Sequence, residues 1–436
     1  MTHSARFSSS PGKDRDLAAW GALLRTRLPA DSAGMFRPAG GALTHPFLAP
    51  GSSQYADVLW DWDSWLSNVA LRQILLEAED PERYAEAEPY ERGCVLNFLE
   101  TARTRPRPDG WVPILLAREG REPPADIYAQ NMHKPCLAQH AAFLVRENGG
   151  DAEWLREHAY ALQCFLNNYR NHHRHSCGLY FWQADNAIGV DNDPCTFGRP
   201  PRSSGSIFLN CLMYRELLAL AEILRRLDLG EIAAQYEKDA LAVRSAVQEH
   251  CWDERDGFFY SVDLQLAPAA RGSWQTHAGQ PRDWPCLIQR IGVWSGFLAL
   301  WSGIATPDQA ARAAAHYRNP DTFGAAAGVR SLSKMEKMYN LRASGNPSSW
   351  LGPVWGISNY LTFRGFVRYG LIDDARDLAE KTVALFGRDL ERFGALHEYY
   401  QPENGEPILN RGFQNWNYLV LNMLAWLEGR PVVEEF

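Results

Sequence analysis

At 436 residues, with 46% hydrophobic and 22% charged residues, the chain has a globular balance that excludes wholesale disorder. It is long enough for two or three ordinary domains or one large closed architecture. Its 44 Lys+Arg against 52 Asp+Glu leave a net charge of −8 with no basic tract, which argues against nucleic acid or an anionic membrane as partner. No apolar run reaches the ~18 residues needed to cross a bilayer, and the opening MTHSARFSSSPGKDRD has no apolar signal core. The eight cysteines are scattered without a C-x-x-C pair and read as small apolar filler, so a cytoplasmic protein is expected.

Apolar residues recur at three- and four-residue steps along almost the whole chain, and strand-like alternation is scarce. This spacing predicts helices over 14–28, 61–78, 83–103, 131–148, 151–170, 205–228, 231–251, 287–303, 306–317, 352–369, 373–388 and 413–428. Leu209–Leu229 shows the period clearly, and Asp373 and Asp374 put carboxylates at the positive end of the helix they open. No Pro/Ser-rich linker divides the chain, so one domain over residues 1–436 is expected, frayed over residues 1–12. Twelve helices in hairpin pairs suit an all-α (α/α)6 barrel, a toroid of six inner helices ringed by six outer ones. An α-solenoid fits less well, because no self-similarity recurs at roughly 34–47 residues.

The connections 30–58, 104–130, 172–204, 253–286, 318–350 and 389–412 are long and rich in Gly, Pro, Asn and Trp. Loops of this length in a compact fold are usually functional. In a toroid they gather at one end and build a pocket over it. The chain also carries 16 Trp, 17 Tyr and 19 Phe. Most of these rings belong to a large core. Some suit a carbohydrate site, where ring faces stack on sugar C–H faces and carboxylates take the hydroxyls.

Four polar-aromatic words fall in or beside those loops. Trp60-Asp61-Trp62-Asp63-Ser64-Trp65 opens a helix, and two Asp among three Trp exceed what capping needs. Gly189-Val190-Asp191-Asn192-Asp193-Pro194 follows the aromatic stretch Tyr180-Phe181-Trp182, a wall able to keep a carboxyl protonated. Trp350-Leu351-Gly352-Pro353-Val354-Trp355 precedes a helix. Leu396-His397-Glu398-Tyr399-Tyr400-Gln401-Pro402-Glu403-Asn404-Gly405 sets a Glu among aromatics, ahead of Gly412-Phe413-Gln414-Asn415-Trp416.

In this order the words resemble those of glycoside hydrolase family 63 and related trehalases, from about Trp60 to Trp416. The family's W-D-x-F/Y, S-G-x-D, R-G-P-V-W and H-E-x-Y-x-P-x-x-G words all have counterparts. Ile188 stands where the family has Ser, and Leu351 where it has Arg. The resemblance implies an (α/α)6 barrel and an inverting α-glycosidase, with Asp191 as general acid and Glu398 as general base. Inversion needs roughly 6.5–9.5 Å between the carboxyls, room for the attacking water. Asp193 is the rival acid. Trp62 and Asp63 match the subsite that holds the glycone, with Trp60, Asp61 and Tyr55 beside them. Gly189 lets backbone approach the sugar, and Trp355 forms the opposite wall. Gln130 and Trp111 are candidate contacts from neighbouring words.

The chain's size is similar to that of bacterial hydrolases of glucosylglycerate and mannosylglycerate, with glucosylglycerate the first expectation. A glycerate carboxylate calls for a cation, and Arg199 and Arg202 follow the acid closely. Neutral α-glucosides such as trehalose or glucosylglycerol stay open. So do a sugar 2-epimerase, which needs paired histidines where only His133 and His397 occur in the words, and a non-catalytic carbohydrate-binding protein. The cluster His172-His173-Arg174-His175 lacks a carboxylate at ligand spacing, so no metal is expected, and no phosphate loop suggests a cofactor. The expected partner is a small-molecule glycoside, and assembly into a homo-oligomer is left open.

Overall fold

The computed structural model describes residues 11–50, 55, 57–103, 110–120, 124–266, 284–342 and 348–436. Its helices are α1 (Pro11–Asp31), α2 (Asp61–Ala78), α3 (Pro81–Arg103), α4 (Leu137–Glu147), α5 (Ala159–His172) and α6 (Ile207–Arg226). They continue with α7 (Gly230–His250), α8 (Leu298–Trp301), α9 (Pro307–Arg318), α10 (Gly356–Arg368), α11 (Ile372–Phe393) and α12 (Val420–Leu427). The even-numbered helices form a closed ring: α2 touches α4, α4 touches α6, and so on through α8, α10 and α12 back to α2. The odd-numbered helices lie outside. The arrangement is the (α/α)6 barrel expected from the helix count.

Side-chain chemistry explains the two layers. An inner helix buries its whole circumference and must pair any polar group it carries, as Asn68 and Arg72 of α2 do with Glu91, whereas a helix with a single apolar stripe covers a core with that face. Every residue of α2 from Asp61 to Leu75 is buried, as is every residue of α4 from Leu137 to Val145. In α11 the buried positions 375, 378, 379, 382, 383 and 386 make one stripe, while Asp373, Arg376 and Asp377 face solvent. Among the described residues no helix is long and apolar enough to cross a membrane.

Several helices begin later than their periodicity predicts. Residues 131–136 are not helical, because Pro135 lacks an N–H and biases Lys134 away from helical backbone. Residues 151–170 open with a 3-10 helix, Glu153–His158. Within 287–303, Leu287–Ile288 is a strand paired with Val262–Asp263, and a 3-10 turn at Trp294–Phe297 leads into α8. Val354–Trp355 is a strand paired with Tyr399–Tyr400, and Asn415–Leu419 is 3-10 before α12. Buried extended and 3-10 segments carry apolar residues as densely as a helix does, so the period alone cannot separate them.

At the opposite end the C-terminal Glu435 enters the ring and accepts hydrogen bonds from Trp301 Nε1 (2.9 Å), Tyr360 OH (2.8 Å) and Arg364 Nε (2.9 Å). Burial works to raise this carboxyl, but Arg364 and Arg215 outweigh it and bring it down to about 2.

Candidate active site

The N-terminal ends of α2, α4, α10 and α12 point the same way. With the loops before α6 and around Glu398, they enclose a cavity of about 340 Å³. Short strand pairs fix its rim. Val58–Trp60 pairs with Leu115–Ala117, and Tyr399–Tyr400 is held between Val354–Trp355 and Pro407–Leu409.

Glu398 lies on the inner wall, 5% exposed. Tyr55 donates its hydroxyl to Oε1 (3.3 Å) and Asn410 donates Nδ2 to Oε2. Burial pushes the Glu398 carboxyl up to about 7; the two hydrogen bonds oppose the rise and the charge of Asp191 adds to it. The Tyr55 phenol is raised by burial and by the facing Glu398. Behind the wall, His397 Nδ1 sits 3.0 Å from both oxygens of Asp389, and Tyr400 OH donates to Asp389 at 2.7 Å. This lattice anchors the strand that carries Glu398.

Asp61 and Asp63 start the same helix but face different ways. Asp63 lines the cavity and accepts a hydrogen bond from Asn415 Nδ2. Burial, then the charge of Asp61, pushes Asp63 up to about 7 against the pull of Lys134 and Asn415. Asp61 points outward from the cavity and binds Lys134: Nζ lies 2.8 Å from each carboxylate oxygen, and the Lys134 N–H donates to Oδ2 at 3.0 Å. Burial would raise Asp61, but Lys134 beside it keeps it below the usual carboxylate range.

The loop before α6 brings Asp191 to the cavity, half-buried. Asn192, at φ 54°, holds this loop to the next by accepting the Trp350 N–H at 2.9 Å. Gly189 adopts φ +86°, and a Cβ there would lie 2.4 Å from Lys134 Cε and 3.0 Å from Trp62 Cζ2. Its backbone therefore closes against the side chains beneath the cavity as well as facing into it. Asp193 points elsewhere: its carboxylate accepts the Cys195 N–H (2.8 Å), and burial raises it to about 6. Tyr180, Phe181 and Trp182 are buried outside the cavity and form no wall over Asp191.

The remaining walls are aromatic. Trp355 stacks on Trp350 with centroids 4.1 Å apart and planes 4° apart, and on Tyr399 at 4.5 Å. Its Nε1 donates to Ser349 O at 2.9 Å. Trp60, Trp62 and Trp416 complete the lining, with Tyr55 edge-on to Trp60 at 5.8 Å.

Of the sequence candidates, Tyr55, Trp60, Trp62, Asp63, Gly189, Asp191, Trp355 and Glu398 come together on this cavity. Asp61 supports it from behind. Trp111 is buried outside the lining, and Gln130 is half-buried after a 3-10 turn over Ile127–Ala129. Arg202 is exposed and donates to Gln183 Oε1 (2.7 Å), while Arg199 pairs with Asp263 (2.5 Å), so neither lines the cavity. His173 is fully buried rather than on a surface turn, and burial lowers it to about 4. Lys134, Trp350, Asn410 and Trp416 line the cavity without having been candidates. The tryptophans lie inside motif words and Lys134 beside Pro135, whereas Asn410 carried no sequence signal. Among the described residues no group of three or more His, Cys, Asp or Glu could hold a metal ion.

Comparison with known proteins fits this geometry. A curated mannosylglycerate hydrolase of Thermus thermophilus is 28% identical over 221 residues, a stretch covering 49% of this chain and 42% of that enzyme. The crystal structure of a family 63 mannosylglycerate hydrolase from Thermus thermophilus in complex with glucose superposes with a TM-score of 0.65 at 21% identity. The superposition covers 91% of this chain and 99% of that one. Neutral trehalase from Saccharomyces cerevisiae shares the fold more distantly, at TM-score 0.57, 15% identity, and 87% and 73% coverage. The profile described as the mannosylglycerate hydrolase MGH1-like glycoside hydrolase domain matches residues 57–417. With the profile spanning most of the barrel and every lining residue of the cavity except Tyr55, the chain belongs to that glycoside hydrolase family.

Proposed function

We propose that the protein is an inverting α-glycosidase acting on a small hexoside of glycerate, 2-O-α-glucosylglycerate or its manno counterpart. The observation that carries the reading is the meeting of Asp191 and Glu398, from segments far apart in the chain, in one aromatic-walled cavity of hexose size. In this reading Asp191 protonates the glycosidic oxygen as it leaves. Glu398 removes a proton from a water that attacks the anomeric carbon from the opposite face. Tyr55 and Asn410 each hold one Glu398 oxygen, so the carboxylate keeps a fixed direction toward that water. A base raised to about 7 is a strong proton acceptor that is still substantially ionised near neutral pH. Asp63 accepts glycone hydroxyls, and the indole faces cover the sugar's C–H faces.

A neutral α-glucoside is the second reading. What favours it is the position of Arg199 and Arg202, both engaged away from the cavity. One experiment separates these readings: hydrolysis of glucosylglycerate, mannosylglycerate, glucosylglycerol and trehalose, with NMR following the first anomer released. Cleavage of a glycerate hexoside to the β-anomer is expected. Preference for glucosylglycerol or trehalose would select the second reading, an α-anomer released first would refute inversion, and binding without cleavage would refute enzymatic activity.

A further inference from the structure

We infer that Lys134 is a glycone-recognition residue, donating a hydrogen bond to a hexose hydroxyl while Asp61 holds its ammonium in place. This deepens the glycosidase reading and rests on it. Lys134 is the only Lys or Arg lining the cavity among the described residues. Its ammonium is fixed from three sides. Both Asp61 oxygens lie 2.8 Å from Nζ, the Trp62 ring centroid lies 5.1 Å away, and Gly189 packs against the end of the stem. Two of its three protons are committed to Asp61. The third is left for a group in the cavity.

The charge balance decides what kind of group that is. The ammonium is already matched by a fully buried carboxylate, and the cavity also holds Asp63, Asp191 and Glu398. An incoming carboxylate would find no uncompensated positive charge there and would meet four carboxyl groups. A neutral hydroxyl gains a charge-assisted hydrogen bond without that repulsion. Lys134 as donor beside Asp63 as acceptor makes a pair able to read adjacent hydroxyls of one sugar. The arrangement assigns Lys134 to the hexose and leaves the aglycone to other groups.

The test is equilibrium binding of glucose, its 2-, 3-, 4- and 6-deoxy analogues and D-glycerate to the wild type and two double variants. In Asp61→Asn/Lys134→Met the stem remains, the donor is gone and no buried charge is left unpaired. In Asp61→Asn/Lys134→Gln a neutral donor is retained. The Met variant is expected to lose roughly tenfold to a hundredfold in glucose affinity. It should lose nothing further toward the one deoxy sugar that lacks the contacted hydroxyl, and D-glycerate affinity should be unchanged. The Gln variant should recover part of the glucose affinity with the same deoxy pattern, and it reads the contact even if the Met variant folds poorly. Equal losses toward every deoxy sugar would show a purely structural lysine and overturn the inference. A loss confined to D-glycerate would overturn it in favour of carboxylate recognition. Wild-type protein that binds neither these sugars nor mannose would instead sink the glycosidase reading itself.

Discussion

The two ends of the barrel handle charge in opposite ways. At the mouth, where inner helices begin, Asp61, Asp63, Asp191 and Glu398 cluster around one Lys. At the other end, where α4, α6, α8 and α10 finish, a second cavity of about 600 Å³ is lined by Arg146, Arg215, Arg225, Arg226 and Arg368 against Glu222 and Glu237. Six parallel helices aim their positive dipole ends at the mouth and their negative ends at the far side, and each end has gathered the complementary charge. The dipoles favour ionised carboxylates at the mouth, yet Asp63 and Glu398 are both raised to about 7, with burial the largest cause. At the far end the carboxylate Glu435 is equally buried but falls to about 2, because two guanidinium groups serve it. Burial alone therefore does not set a carboxyl's behaviour here. What separates these carboxyls is the balance between burial and the paired cations, two guanidinium groups at Glu435 and the Lys134 ammonium at Asp61.

The sharpest way to break this contrast is to remove the mouth's proposed acid and base. Asp191→Ala and Glu398→Ala should each lower kcat by about 10²–10⁴-fold on the preferred glycoside while melting temperature holds or rises. Glu435→Gln should do the reverse. It leaves Arg364 and Arg215 short of a carboxylate in the interior, costing about 3–5 kcal/mol in denaturant unfolding with kcat unchanged.

The pH dependences should carry opposite signs. Glu435 is depressed when folded, so its stabilisation is full above the unfolded carboxyl range and fades as pH falls from about 4.5 toward about 2. Glu398 is raised when folded, so its favourable contribution exists at low pH and disappears as pH climbs through about 7. Glu398→Gln should accordingly stabilise the protein at pH 8 by on the order of 1–3 kcal/mol, and by much less at pH 5. Urea titrations of both variants at the two pH values decide this. Activity should also fall as pH drops below about 7 and Glu398, the proposed base, takes up a proton. Asn410→Ala should shift that limb upward, since the lost hydrogen bond favours the ionised form.

Gly189→Ala should cost about 1–3 kcal/mol, read as a lowered urea midpoint, because φ +86° strains any side chain and the new methyl meets Lys134. The smallest effect belongs to Arg202→Ala, which should leave KM within about twofold, as expected of an exposed side chain bonded away from the cavity.

Much of this was readable in the sequence because helical period and motif order are local properties. Most of the helices lie close to their predicted spans, with α8 and α12 much shorter than expected, and eight candidates share the cavity. What was missed depends on three dimensions. Asp61 and Asp63 are two residues apart, and on a helix that turns them about 200° from each other, so only one can face the cavity. Arg202 lies eleven residues after Asp191 but beyond a turn that carries it outward. Asn410 reaches Glu398 because Pro407–Leu409 doubles back on Tyr399–Tyr400, a pairing no spacing rule announces. The starts of α4, α10 and α12 were drawn too early for a related reason. Their expected first turns are spent on the extended and 3-10 segments that deliver Lys134, Trp355 and Trp416 to the cavity.

The near-parallel stack of Trp350 on Trp355 has an optical consequence. Two indoles 4.1 Å apart share their excited states, and both line the cavity. Among the described residues, five of the chain's 16 tryptophans line that cavity, so its emission and near-ultraviolet dichroism are weighted toward one place. Arrival of a ligand displaces water from these rings and disturbs the coupled pair. The protein thus carries its own label-free spectroscopic reporter, able to time substrate entry and product exit on the unmodified chain.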